Sequence, residues 1–235
     1  MKKILEKNEL LFSIISIIIY VVLNSYCIQN FGTTSYKSTI INTLISIILL
    51  TIIYKTNKQD YYGLKKVKNK QKFLYFIPLI PIATINIWNG FNINNTTSEI
   101  LFHILTMINV GFIEEIIFRG FLFKAISKEC IKKGIIISSI TFGIGHIVNL
   151  INGSPLIPTI IQIIYAISLG YLFVIIFYKS KSLLPCIITH ALINSLSIFN
   201  VSKGIKEYIF SSILIIISLS YAIYINKKIK EEDIK

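Results

Sequence analysis

The chain has 235 residues, 54% of them hydrophobic and 15% charged, with a formal charge of +13 and a mean hydropathy of +0.70. Soluble domains carry about 25% charged residues, so this composition excludes a disordered chain and argues against a water-soluble one. The charge is nearly all lysine, with Arg119 the one arginine; it is tested first as membrane topology rather than as a nucleic-acid footprint.

Taken in order, the apolar runs are Leu10–Ile28, Thr39–Tyr54, Phe73–Gly90, Ser98–Phe123, Gly134–Leu150, Leu156–Tyr178, Leu183–Phe199 and Tyr208–Ile225. A span needs ~20 helical residues, and the pattern predicts an all-α bundle of about eight transmembrane helices. The first run follows a lysine-rich start without a small-x-small cleavage site, so it reads as a retained span rather than a secretion signal. Thr39–Tyr54 is short, Ser98–Phe123 is long enough to tilt, and Pro78 and Pro81 should kink the third run. Ser98-Glu99 reads as the start of the fourth helix, and Pro185 suits the first turn of the seventh. No repeat or separate soluble domain is visible, so residues 1–235 are expected to form one integral membrane domain.

With the N-terminus inside, the inner segments (2–7, 55–72, 124–133, 179–181 and 227–235) hold 20 lysines. The outer ones hold only Lys37, Lys203 and Lys206. This bias predicts that both termini are cytoplasmic. It accounts for the basic charge without nucleic acid; membrane lipid is an expected partner of the protein, and the basic loop Lys55–Lys72 reads first as a topology signal rather than as a lipid-binding patch. Cys27, Cys130 and Cys186 are too few and too widely spaced for a disulfide framework or a metal knuckle.

Ionisable groups at membrane depth are costly and are functional candidates by default. Of eleven acidic residues, only Glu114 and Glu115 lie well inside a run. Arg119, four residues after Glu115, shares its helix face and can pair with it. Glu114 is left pointing elsewhere without a counterion of its own, the position of a general base. His146 closes Phe142-x-x-x-His146, and His190 lies one turn before Asn194. At 1.5 Å per residue, Glu114 is ~15 Å along its helix from Lys124, His146 ~20 Å from Lys133 and His190 ~14 Å from Lys181. Three helices therefore bring an acid, two imidazoles and an amide to a similar depth, expected to be reachable from the cytoplasm. His103 lies about three turns from Glu114 toward the outer face and reads as a packing residue. Cys186, at a helix start beside Pro185, does likewise.

A carboxylate and an imidazole around one water form a general-base site, with His190 and Asn194 available as oxyanion donors. The set Glu114, His146 and His190 also admits a divalent metal such as zinc, and spacing does not decide between the two. There is no His-Glu-x-x-His helix, no paired intramembrane aspartate and no Gly-x-Ser-x-Gly turn.

Glu114-Glu115-x-x-x-Arg119, Phe142-x-x-x-His146 and Pro185 ahead of His190-x-x-x-Asn194 resemble, in order, the three signature motifs of the CPBP family. This family joins the type II CAAX prenyl endopeptidases with bacteriocin-processing and self-immunity proteins. The resemblance covers about 111–194. It implies an eight-helix bundle whose water-filled cavity opens to the cytoplasm, with Glu114 and His146 activating water. It implies that His190 and Asn194 bind the oxyanion, and that Glu115 and Arg119 hold the first motif in place. No cofactor is required on this reading, although the family has been named both as metalloproteases and as glutamate-type proteases.

The expected function is therefore intramembrane endopeptidase action on a membrane-associated peptide or lipopeptide in a bacterial cell membrane. The Ile-, Lys- and Asn-rich composition argues against a prenylated CAAX substrate. A non-catalytic bacteriocin self-immunity protein and a small transporter or proton relay are the competing readings.

Overall fold

The computed structural model describes Leu5 and residues 7–67, 76–201 and 204–229. Lys2, Lys3, Lys68, Lys70, Lys72, Lys203, Lys230 and Lys235 of the lysine pattern lie outside these residues, as does the start of the third run at 73–75. The described residues are all-helical, without strands. Six helices are long and apolar enough to cross a membrane: α1 (Glu9–Phe31), α2 (Tyr36–Lys55), α4 (Thr97–Ser127), α5 (Ile131–Ile151), α6 (Leu156–Ser180) and α8 (Ile205–Lys228). The other two apolar runs give shorter pieces, α3 (Leu79–Thr84) and α7 (Leu184–Phe199). In the third run, Pro81 lacks the N–H that a longer helix needs, and the chain tightens into a single 3₁₀ turn at Ile85–Ile87 before leaving the helix.

The ends follow local chemistry. Asn8 caps α1 by accepting from the Leu11 N–H at 2.9 Å, and the helix stops at Gly32, whose φ of +72° suits glycine. The cap of α4 is Thr96, two residues ahead of the predicted start. Its hydroxyl receives the Glu99 N–H while the Glu99 carboxylate receives the Thr96 N–H, a reciprocal capping box. Pro185 occupies the first turn of α7 as expected.

Small residues set the helix spacing. A Cβ added at Gly143 of α5 would lie 2.8 Å from the Ile167 nitrogen and 2.9 Å from the Ile163 oxygen of α6. One at Gly111 of α4 would lie 2.8 Å from the Ala191 nitrogen of α7. Polar pairs add to this packing: Thr39 of α2 meets Thr106 of α4 at 2.8 Å, and Asn86 donates to the Ile193 carbonyl of α7 at 2.7 Å. Side chains such as Ile14, Ile18 and Val22 point outward and stay exposed, as a bilayer-facing surface requires.

Ion pairs and hydrogen bonds tie helices together at the lysine-rich end of the bundle. Glu9 receives Lys58 at 2.6 Å and Lys128 at 2.8 Å, and Tyr61 donates to it at 3.3 Å. Burial, and then the Glu9 carboxylate, push the Tyr61 hydroxyl up to about 12, which keeps it a neutral donor. The loop carrying Tyr61 is pinned by the Leu183 N–H on the Gly63 carbonyl at 2.8 Å. Beneath it lie edge-to-face aromatic rings: Tyr62 on Phe121 at 4.9 Å, Phe12 on Phe121 at 5.0 Å and Phe123 on Phe177 at 5.9 Å.

Because Gly143 meets backbone on α6, Gly143→Val forces α5 and α6 apart. Overpacking of this kind costs about 1–3 kcal/mol, and the measurable outcome is earlier thermal unfolding of the purified protein in detergent. An unchanged unfolding temperature would show that the close approach is not structural.

Candidate active site

Residues Glu115–Phe123 within α4 form a π-helical stretch, wider than the α-helix around it. Such segments occur often at functional sites, and this one holds the charged cluster. Glu115 and Arg119 are both fully buried, and the Arg119 Nη1 donates to Glu115 Oε1 at 2.9 Å. The same oxygen receives His190 Nδ1 at 2.8 Å. An ionised carboxylate only accepts, so Nδ1 carries the proton in that contact, and the Glu115 carboxylate fixes the ring's orientation. The other ring nitrogen, Nε2, faces Glu114 Oε2 at 3.5 Å. The Arg119 guanidinium lies 4.0 Å above the Phe142 ring and 5.6 Å from Phe173, a cation–π setting. Phe142 and Phe173 also pack against His190, with centroids 5.7 and 5.9 Å away.

Glu114 does have partners. Tyr20 of α1 donates to its Oε1 at 2.8 Å, so the carboxylate is held from both sides, by a phenol and by an imidazole. His146 sits in a tight 3₁₀ turn, Gly145–Ile147, that interrupts α5. Its ring rests on Phe142 at 5.5 Å, within electrostatic reach of Glu114 and His190. The expected pairing of Glu115 with Arg119 is present. Glu114, expected to lack a counterion of its own, takes a neutral tyrosine as donor, and that residue lies 94 positions away where no local spacing announces it.

Glu114, His146, His190 and Asn194 all line one cavity of about 370 Å³, together with Tyr20, Phe118, Phe142 and Phe173. His103 is buried, as a packing residue would be, but it is also a polar tie. Its Nε2 lies 3.1 Å from the Asn194 carbonyl and its Nδ1 3.1 Å from the Thr33 hydroxyl. A carbonyl only accepts, so Nε2 carries the proton and Thr33 donates to Nδ1. This contact anchors the backbone beside Asn194. Cys186 is fully buried, with its thiol on the Phe173 carbonyl at 3.4 Å, in keeping with packing.

Among the described residues no three His, Cys, Asp or Glu side chains are grouped to hold a metal ion. His190 Nδ1 is taken up by Glu115, which leaves Nε2 as the nitrogen that faces Glu114 and the cavity. The cavity runs from the acid–imidazole cluster to Gly32, Thr33, Ser197 and Asn200, at the lysine-poor end, where Ser197 and Asn200 are exposed.

A multi-pass membrane helix bundle enclosing an acid–imidazole cluster beside a cavity is what these elements define. Residues 96–196 match the family model of the Rce1-like type II CAAX prenyl endopeptidases, a likeness consistent with a CPBP-family protease. No curated protein and no solved structure matches the chain.

Removing the guanidinium in Arg119→Ala leaves the buried Glu115 carboxylate without its arginine. Breaking a buried pair costs about 3–5 kcal/mol, and the expected readout is a strongly lowered unfolding temperature in detergent. Wild-type stability in this variant would show that the pair does not hold the site.

Proposed function

We propose that the protein is an intramembrane endopeptidase in which water, not a side chain, attacks the peptide bond. The observation that carries this reading is the convergence of Glu114, His146, His190 and Asn194 on one cavity. Glu114 takes a proton from a water held between it and His146 while the water oxygen attacks the carbonyl carbon. The Asn194 amide N–H donates to the resulting oxyanion. His190 adds a second donor when Nε2 is protonated, its ring held in place by Glu115 through Nδ1. Collapse of the intermediate breaks the C–N bond, and the proton on Glu114 passes to the leaving amine. No step runs through a metal. The setting is a bacterial cell membrane, and the substrate is a membrane-associated peptide or lipopeptide.

A purified preparation offered a quenched amphipathic peptide tests this. Glu114→Gln and His146→Ala are each expected to lower kcat/KM at least 1,000-fold while leaving unfolding unchanged; full cleavage by either variant would sink the mechanism. Cleavage should persist after exhaustive chelation, and loss restored by added zinc would overturn the metal-free route. Tyr20→Phe deletes one hydrogen bond to a carboxylate, worth about 1.5–3 kcal/mol. It should reduce kcat roughly 10- to 100-fold and shift the acidic limb of the pH profile; an unaltered profile would leave Tyr20 with a packing role alone.

A further inference from the structure

We propose that a small pocket between the lysine-rich ends of α4, α5 and α6 is a phosphate site, which takes the group from an anionic phospholipid of the adjoining leaflet or from solution. It shares no lining residue with the acid–imidazole cavity, and it stands whether or not that cavity is a peptidase centre. Its walls are Lys124 and Ser127 of α4, Ile131 of α5, and Phe177, Tyr178 and Lys181 at the end of α6. Two ammoniums and two hydroxyls, all able to donate, therefore face one space. Among the described lining residues there is no carboxylate. The volume is about 190 Å³. Drug-sized ligands fill about 300–1,000 Å³, so the space suits a headgroup rather than a peptide.

The charge around this pocket does not balance. Lys124 lies within electrostatic reach of both Lys181 and Lys65, so a helix, a helix end and a loop bring like charges together. Two ties hold the loop against the end of α6. The Ser182 hydroxyl donates to the Lys65 carbonyl at 2.5 Å, and the Leu183 N–H to the Gly63 carbonyl at 2.8 Å. Glu9, the acid that acts on Lys124, already receives Lys58 and Lys128. Aromatic rings position the ammoniums. Lys124 Nζ is 4.7 Å from the Tyr61 ring and 5.4 Å from Phe177, and Lys181 Nζ is 4.5 Å from Tyr178. A ring face attracts a cation but carries no net charge, so the positive potential persists. Low-dielectric walls around like charges focus that potential on an anion, and basic pockets between membrane helices recognise anionic headgroups. Ile131, at the rim, is 40% exposed. It offers apolar surface that an acyl chain covers and a free anion leaves bare.

Thermal unfolding of the purified protein in detergent tests this, with added phosphatidylglycerol, phosphatidylcholine or inorganic phosphate. Phosphatidylglycerol should raise the unfolding temperature by about 4 °C over phosphatidylcholine, as a ligand of the folded state does. The double variant Lys124→Gln/Lys181→Gln should lose most of that shift. Lys132→Gln/Lys133→Gln removes the same charge from the exposed start of α5 and should keep it. A shift with phosphatidylglycerol alone makes the source a lipid; a shift with inorganic phosphate makes it the free group. Both support the site. No shift with either probe overturns it, as does a shift that the pocket variant retains in full or that both double variants lose equally. Should the pocket variant not fold, phosphatidylglycerol carried through purification decides. Lys181→Gln should retain about five-fold less than wild type, the worth of one lysine at a lipid surface, while Lys132→Gln/Lys133→Gln retains the wild-type amount. Equal retention by Lys181→Gln and wild type overturns the proposal.

Discussion

One buried carboxylate oxygen organises this molecule. Glu115 Oε1 receives both Arg119 and His190, on two helices that are not neighbours in sequence. A buried ion pair seldom adds net stability, because the desolvation of both charges offsets their attraction. Its value here is positional. With the arginine inside the same π-helical stretch and spread over Phe142, the carboxylate has little freedom. His190, bonded to it, is held to one ring orientation with its second nitrogen toward Glu114. Losing Glu115 or Arg119 alone leaves an uncompensated buried charge, so that pair stands or falls together.

From that anchor the other groups follow by packing. Gly111 lets α7 come close enough for His190 to reach Glu115, and Gly143 lets α5 lie against α6 where the chain tightens at His146. Tyr20 enters from α1 and holds Glu114 from the opposite side. The constellation is thus carried by four helices, and each contact sits where two backbones approach closely. This is the usual logic of helix association in lipid, where small residues replace the hydrophobic drive available in water.

Much of this was legible in the sequence. The all-helical class follows from the long uncharged runs, and the Glu115–Arg119 pair from a spacing of four. Six of eight runs became long helices with ends within a few residues of expectation, because hydropathy tracks bilayer thickness directly. The Glu114–Tyr20 bond was not legible, since a tyrosine on an apolar helix carries no spacing signal relative to a glutamate 94 residues away. His103 read as packing because its partners are a carbonyl and a threonine hydroxyl, neither of which leaves a trace in sequence. The π-helical stretch was invisible as well. It changes the register of the backbone without requiring an unusual residue.

The two runs that fell short of a full span are not failures of the bundle. Within hydrocarbon, backbone outside a helix is tolerated only where protein or water satisfies it. Here the shortened pieces satisfy each other: Asn86, just beyond α3, bonds α7; the Asn92 N–H bonds the Phe199 carbonyl at 3.1 Å; and the Phe91 and Phe199 rings stack at 4.2 Å. Their polar ends, Asn86 and Asn200, are also part of the cavity lining. Two full-length helices in these places would bring apolar side chains there. Truncation of α3 and α7 therefore leaves polar ends, rather than apolar side chains, beside the cavity. The same proline-bearing sequence that costs the third run its length thus places Asn86 in the wall of the cavity that holds the acid–imidazole cluster.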